Sequence, residues 1–271
     1  MKRIISISLL SIMMVLLTLP FFVQKENKNV KSENKIQDIK LEAGVSKIIF
    51  SKPQVEKWDV GWTIERVNLR TSPSFESKVV YVCEFNNKII YKKYNDDWCE
   101  VSVNIDGEDV SGYIRDGYIS NKQCEYEECD FPDNRGFKSY MSYTTLTNKA
   151  SNQYELQEEH GYTVSGMRMV NNRYCIAIGT AFNADIGTYV DLTLDNGEVI
   201  PCIVADIKSD IHTRSDNITT ISNGCVVEFL VDTKKMDKQV KRSGDVSEYY
   251  HTWDGAASRL KVYNKNILQE E

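Results

Sequence analysis

Carboxylates at the ends of apolar runs are the first chemistry this sequence offers. Asp206 directly follows Ile203-Val204-Ala205, the end of an apolar run that starts at Val199. Asp210 and His212 come next. Glu228 lies inside a second run, Val226–Val231. In a strand Glu228 shares a face with Val226 and Leu230. A carboxylate on such a face is costly unless it is paired or protonated. Burial raises its pKa, and a carboxyl that keeps its proton is what a general acid needs. The plainer alternative is a strand-end carboxylate that accepts backbone N–H groups.

A second constellation competes with the first. Ser222-Asn223-Gly224-Cys225 follows His212 in the chain. A cysteine becomes a nucleophile when a nearby base or cation stabilises its thiolate, and His212 could be that base. Ser-x-Gly-Cys after a histidine resembles the nucleophile motif of L,D-transpeptidases, which crosslink peptidoglycan. Thr213 stands where those enzymes have a glycine, and Val227 where they have an arginine. The alternative is a structural Cys225, bonded to Cys202 or Cys175.

Bulk properties narrow the field. The 271 residues leave room for two small domains with connecting segments. The net charge of −6 gives a nucleic-acid partner no electrostatic support. Seven cysteines are spread over Cys83, Cys99, Cys124, Cys129, Cys175, Cys202 and Cys225. Cys83 with Cys99, and Cys124 with Cys129, are the expected disulfide pairs, with one cysteine left over. The Cys124–Cys129 spacing lacks a matching second pair, and the three histidines lie far off in sequence, so no metal and no cofactor are expected.

The N-terminus opens with Met1-Lys2-Arg3, and Ile4 to Val23 follows without a charge. Residues 1–23 therefore read as a hydrophobic helix, either a secretory signal or a membrane anchor. The positive flank and the lack of a small-x-small cleavage site favour an anchor with its N-terminus inside. Either way the rest of the chain is expected on the extracellular face of the membrane or secreted to the wall. Residues 24–58 are rich in Lys, Asn and Glu and read as a polar linker.

Two β-rich regions follow. In 59–121, short apolar runs at Val67–Leu69, Lys78–Cys83, Ile89–Tyr91, Trp98–Val103 and Gly112–Ile114 predict a small antiparallel barrel. Asn104–Gly107 predicts a hairpin turn. Residues 122–136 read as an acidic linker. In 137–264, strands are predicted at Lys138–Leu146, Arg173–Gly179, Tyr189–Leu194, Val199–Ala205, Val226–Val231 and Arg259–Tyr263, with a hairpin turn at Asp195-Asn196-Gly197. Ser151–His160 predicts a helix, with Asn152 and Glu155 as a capping box. Thr213–Ile221 predicts a polar rim loop, and Lys234–Arg242 a solvated helix.

Both regions resemble known families. Val67-Asn68-Leu69-Arg70-Thr71-Ser72-Pro73, then Trp98, Val101, Gly112-Tyr113-Ile114 and Tyr118-Ile119, resemble bacterial SH3-like domains, with Tyr113 in place of the usual tryptophan. That resemblance implies binding of wall peptides or a spacer role, with Tyr113 as a substrate contact. Arg173–Gly179, Asp185–Val190 and Val204–Lys208 resemble the double-psi β-barrel of the three-aspartate (3D) domain. That domain occurs in stationary-phase muralytic proteins and in membrane-bound lytic transglycosylase A. Ile207-Lys208 replaces its Gly-Gly, and Glu228 its second aspartate. The fold expected is thus mainly β: a small SH3-like barrel and a six-stranded double-psi β-barrel behind an N-terminal hydrophobic helix.

The resemblance implies a lytic transglycosylase acting on peptidoglycan, with Asp206 as acid/base and Glu228 or Asp210 in support. His212 and Asn223 are expected substrate contacts. A non-catalytic wall-binding or assembly protein, and a Cys225 transpeptidase, are the alternatives.

Overall fold

The computed structural model describes residues 57–269, and the expected N-terminal helix lies outside them. The described chain is mainly β and forms two sheets. None of its helices is long and apolar enough to cross a membrane.

The first sheet holds seven strands: β1 (Asp59–Thr63), β2 (Val67–Arg70), β3 (Val79–Cys83), β4 (Lys88–Lys93), β5 (Trp98–Ile105), β6 (Glu108–Arg115) and β7 (Ile119–Ser120). Their order is β3-β2-β6-β5-β4-β1-β7. Leu69, Ile89, Val101, Val103 and Ile114 form its core. The turn expected at Asn104–Gly107 joins β5 to β6, where Ile105 pairs with Glu108. Asp106 and Gly107 both have positive φ, as a two-residue type I′ turn requires. Gly112 is needed for a close approach: a Cβ there would meet the Arg70 carbonyl oxygen at 2.5 Å.

The second sheet holds nine strands rather than six. They are β8 (Tyr126–Asp130), β9 (Ser139–Ser142), β10 (Tyr162–Val164), β11 (Met167–Val170), β12 (Arg173–Gly179), β13 (Thr188–Leu194), β14 (Val199–Lys208), β15 (Glu228–Val231) and β16 (Ala257–Asn266). The order is β10-β11-β15-β12-β14-β13-β16-β8, with β9 parallel to β15. Leu192, Ile200, Cys202, Val204, Phe229 and Leu260 are among the fully buried residues. Buried Lys138 ties the start of β9 to the segment before β16, since its Nζ donates to the carbonyls of Gly136, Trp253 and Gly255.

Three features correct the sequence reading. The acidic stretch 122–136 contains strand β8, antiparallel to β16. Its acids meet cations across the ladder: Arg259 bonds Glu128 and Asp130, both at 3.1 Å. The helix α1 (Asn152–Glu155) is capped by Ser151, whose Oγ accepts from Tyr154 N, and continues as a π-helical turn over Leu156–His160. None of the expected disulfides is formed. Cys83 and Cys99 lie on β3 and β5, which are not neighbours. Cys124 and Cys129 are five residues apart along nearly extended chain, roughly 16 Å, far beyond disulfide reach.

The two sheets share a core. Phe85, in the β3–β4 turn, packs edge-on against Tyr189 and Tyr263 of the second sheet at 5.2 and 4.9 Å. Beside it Glu65 accepts from Asn171 Nδ2 at 2.7 Å and pairs with Lys265 at 3.1 Å. Arg173 stacks over the same rings and bonds Asp191.

Two outcomes are expected. Phe85→Ala should lower the unfolding free energy by about 3–5 kcal/mol, read by urea denaturation; a loss below about 1 kcal/mol would mean that the sheets do not share this core. Burial pushes the Cys83, Cys99 and Cys175 thiols up to about 12. Alkylation of the folded chain near neutral pH should therefore modify half-exposed Cys124 and Cys129 first. Equal labelling of all five, read by peptide mapping, would contradict the burial.

Candidate functional site

Strand β12 organises the candidate site because its neighbours bring acids to either side of one small residue. Ala177 pairs with Asp206 on β14 and with Glu228 on β15. Ser139 on β9 pairs in turn with Glu228. The four residues Ser139, Glu228, Ala177 and Asp206 therefore form one row across four strands. Two strand spacings put the Asp206 and Glu228 backbones roughly 10 Å apart. Ala177, itself buried, puts only a methyl group between them.

A register shift aims Asp206. Ile176 pairs with Val204 but Ala177 with Asp206, so Ala205 is an extra residue on β14. Such bulges turn the following side chain and are frequent beside functional sites. Asp206 is half-buried, whereas Val204 and Ala205 are fully buried. Its Oδ1 accepts from Gln153 Nε2 of α1 at 3.4 Å. Burial raises the Asp206 pKa above the usual carboxylate value, and the charge of Glu228 adds to the rise. The Ile207 N–H and Gln153 pull the other way.

Glu228 opens β15 and is half-exposed, not enclosed within a strand that begins at Val226. Its Oε1 accepts from Ser139 Oγ at 2.9 Å. Lys208 lies two residues beyond Asp206 and is buried. Its Nζ donates to Thr220 Oγ1 at 3.0 Å and to the Cys225 carbonyl at 3.2 Å. Burial lowers its pKa, and the charges of Cys225, Glu228 and Asp216 oppose that. A buried cation thus stands near the acid pair.

The expected rim loop is an ordered strap between β14 and β15. Thr213 bridges Thr220. Asp216 accepts from the Ile218 and Thr219 amides and from the Thr219 hydroxyl. The strap closes tightly on β12: a Cβ on Gly179 would lie 1.8 Å from the Asn217 carbonyl oxygen.

The other residues singled out from sequence are distributed as follows. Asp210 is exposed at the start of the strap and accepts from Thr180 Oγ1 at 2.6 Å. His212 and Asn223 are exposed on the strap. Asn223 Oδ1 accepts the Cys225 amide at 2.9 Å. Cys225 is buried, its Sγ donating to the Val227 carbonyl and accepting from Ser139 N. Its hydrogen bonds thus go to backbone groups and not to His212. Tyr113 belongs to the other sheet and packs edge-on to Tyr94 at 5.1 Å.

Gln153 and Ser139 were missed from sequence, and Lys208 stood out there only as a departure from the 3D-like Gly-Gly. Only Lys208 carried a local signal, as a cation closing a long apolar strand. Among the described residues no His, Cys, Asp and Glu cluster is disposed to hold a metal.

No known protein family, curated protein or solved structure matches this chain.

The raised Asp206 pKa has a stability consequence. Folding favours the protonated carboxyl, so this contribution is full below the unfolded value, near 3.8, and is lost as pH rises through the folded value. Asp206→Asn removes that loss. The variant should match the native chain near pH 3 and be the more stable of the two near pH 7, by thermal melting. A variant less stable at both pH values would make Asp206 a structural residue.

Proposed function

We propose that this chain is an exported cell-wall protein that binds peptidoglycan and cleaves its glycan strands as a lytic transglycosylase, with Asp206 as the acid/base. The observation that carries the reading is a half-buried Asp206 with a raised pKa, set across Ala177 from a second carboxylate. A carboxyl that holds its proton above the usual range can protonate a glycosidic oxygen. The two-sheet, mainly β architecture is compatible with an SH3-like barrel followed by a double-psi barrel.

The chemistry needs one acid/base residue. The Asp206 carboxyl gives its proton to the oxygen that bridges two sugars, and the glycosidic bond breaks. The oxocarbenium-like centre that develops is stabilised by negative charge nearby, which Glu228 supplies. The sugar's own 6-hydroxyl then attacks that carbon and passes its proton to the Asp206 carboxylate. A 1,6-anhydro ring closes and the acid is regenerated. Because the nucleophile is intramolecular, no second carboxylate has to activate a water, unlike ordinary two-carboxylate glycosidases. Ser139 orients Glu228, and Gln153 orients Asp206.

A wall-binding protein without catalysis is the second reading. Lys208 favours it, since its side chain fills space beside the acids where the 3D-like pattern has glycine.

One digest separates the two. Purified peptidoglycan incubated with the full chain should release fragments ending in 1,6-anhydro-muramic acid, read by mass spectrometry. Asp206→Asn should lower that release by about 100-fold or more, the scale of general acid/base catalysis. Absence of such products, with the chain sedimenting with the wall, would replace the enzymatic reading with the binding one.

A further inference from the structure

A cleft of about 250 Å³ gathers Arg66, Arg70, Arg115, Phe75, Trp98 and Tyr118 from the first sheet and its loops, with Asn172 from the β11–β12 turn of the second. No Asp or Glu lines it. In a chain of net charge −6, three guanidinium groups converge on this cleft, two of them also paired with exposed carboxylates. A convergent set of cations attracts an anion.

Each guanidinium is only partly engaged. Arg66 gives Nε to Glu84 at 3.0 Å, and Arg115 gives Nη2 to Asp97 at 2.9 Å. Arg70 gives Nη1 to the Ser77 carbonyl at 2.8 Å. An arginine has five N–H donors, so most remain for a ligand. Both ion pairs are well exposed, and such pairs hold their partners weakly. A carboxylate is filled by the fork of a single arginine, whereas a tetrahedral phosphate offers more acceptor oxygens to several at once.

The rings in the cleft decide what carries the phosphate. Phe75 is 60 % exposed, but Arg115 sits over its ring at 5.5 Å and Trp98 meets it edge-on at 5.5 Å. Trp98 is itself 8 % exposed. Tyr118 is 40 % exposed, one ring where single-strand binders present a succession of them. One exposed ring beside polar groups suits a single sugar or polyol unit.

We propose that this cleft binds a phosphate group carried on a polyol or sugar, as in a phosphodiester-linked polyol polymer. Its arginines belong to the first sheet and its loops, not to the strands that carry Asp206 and Glu228, and the proposal stands independently of the glycan-cleaving reading.

The test measures affinity of the full chain for a glycerol-phosphate polymer by calorimetry. Polyglutamate of equal charge and a single-stranded oligonucleotide are the comparison ligands. The polymer should bind, weaken as salt rises, and be displaced by glycerol 3-phosphate. Arg70→Gln should weaken it by about 10-fold or more, as expected for loss of a charge-assisted hydrogen bond. Arg66→Gln touches only an exposed pair and should weaken binding by a smaller factor without changing the melting temperature. If Arg70→Gln fails to fold, Arg66→Gln decides alone. Equally tight binding of polyglutamate or of the oligonucleotide, no effect in the folded variants, or no binding of the polymer would each overturn the proposal.

Discussion

Strand β12 can carry the candidate site because its backbone is paired on both sides while its side chains at two positions are nearly absent. Its amides and carbonyls pair with β14 on one edge and with β15 and β11 on the other. Ala177 and Gly179 place almost no bulk between those flanking strands. A larger residue at Ala177 would put more bulk between Asp206 and Glu228. A larger residue at Gly179 would collide with the Asn217 carbonyl and lift the strap. Acid pair, buried cation and strap all depend on this thin strip of strand.

The site also depends on charges taken out of water. Asp206 is half-buried, and Lys208 is nearly closed off by the strap. Burial pushes the carboxyl up and the ammonium down, because both lose hydration when charged. Lys208 keeps two hydrogen bonds into the strap, so the strap and the electrostatics of the acid pair are physically linked. The first sheet is no loosely tethered module either. Phe85 contributes to the second sheet's core, and Glu65 engages Lys265, Asn171 and Tyr189. The arginine cleft of the first sheet is therefore held in a fixed setting.

Local pattern made much of the architecture legible. Turn chemistry marked two hairpins, Asp106-Gly107 and Asp195-Asn196-Gly197, because few residues adopt positive φ. Apolar runs marked β12, β13 and most of β14. The strands β10 and β11 were missed although their turns, Ser165-Gly166 and Asn171-Asn172, have the same positive-φ signature. Arg168 in β11 obscured it: a buried arginine, satisfied by Gln157 and Thr163, breaks the apolar pattern. Strand β8 was hidden by its acids, which only Arg259 and Lys261 on a distant strand make tolerable.

By itself the sequence determined strand-rich regions, their commonest turns and Asp206 at the end of a buried run, all from interactions within a few residues. Only the tertiary structure decided which groups meet. Ser139 reaches Glu228 through a parallel pairing 89 residues apart. Gln153 reaches Asp206 from a short helix 53 residues away. The bulge at Ala205 exists only against β12. The Cys225 thiol points into its own turn, and Cys124 and Cys129 are held apart by a strand that forms only against β16. Each of these is a register between distant segments, set by the burial of a whole sheet, and local propensity carries no information about it.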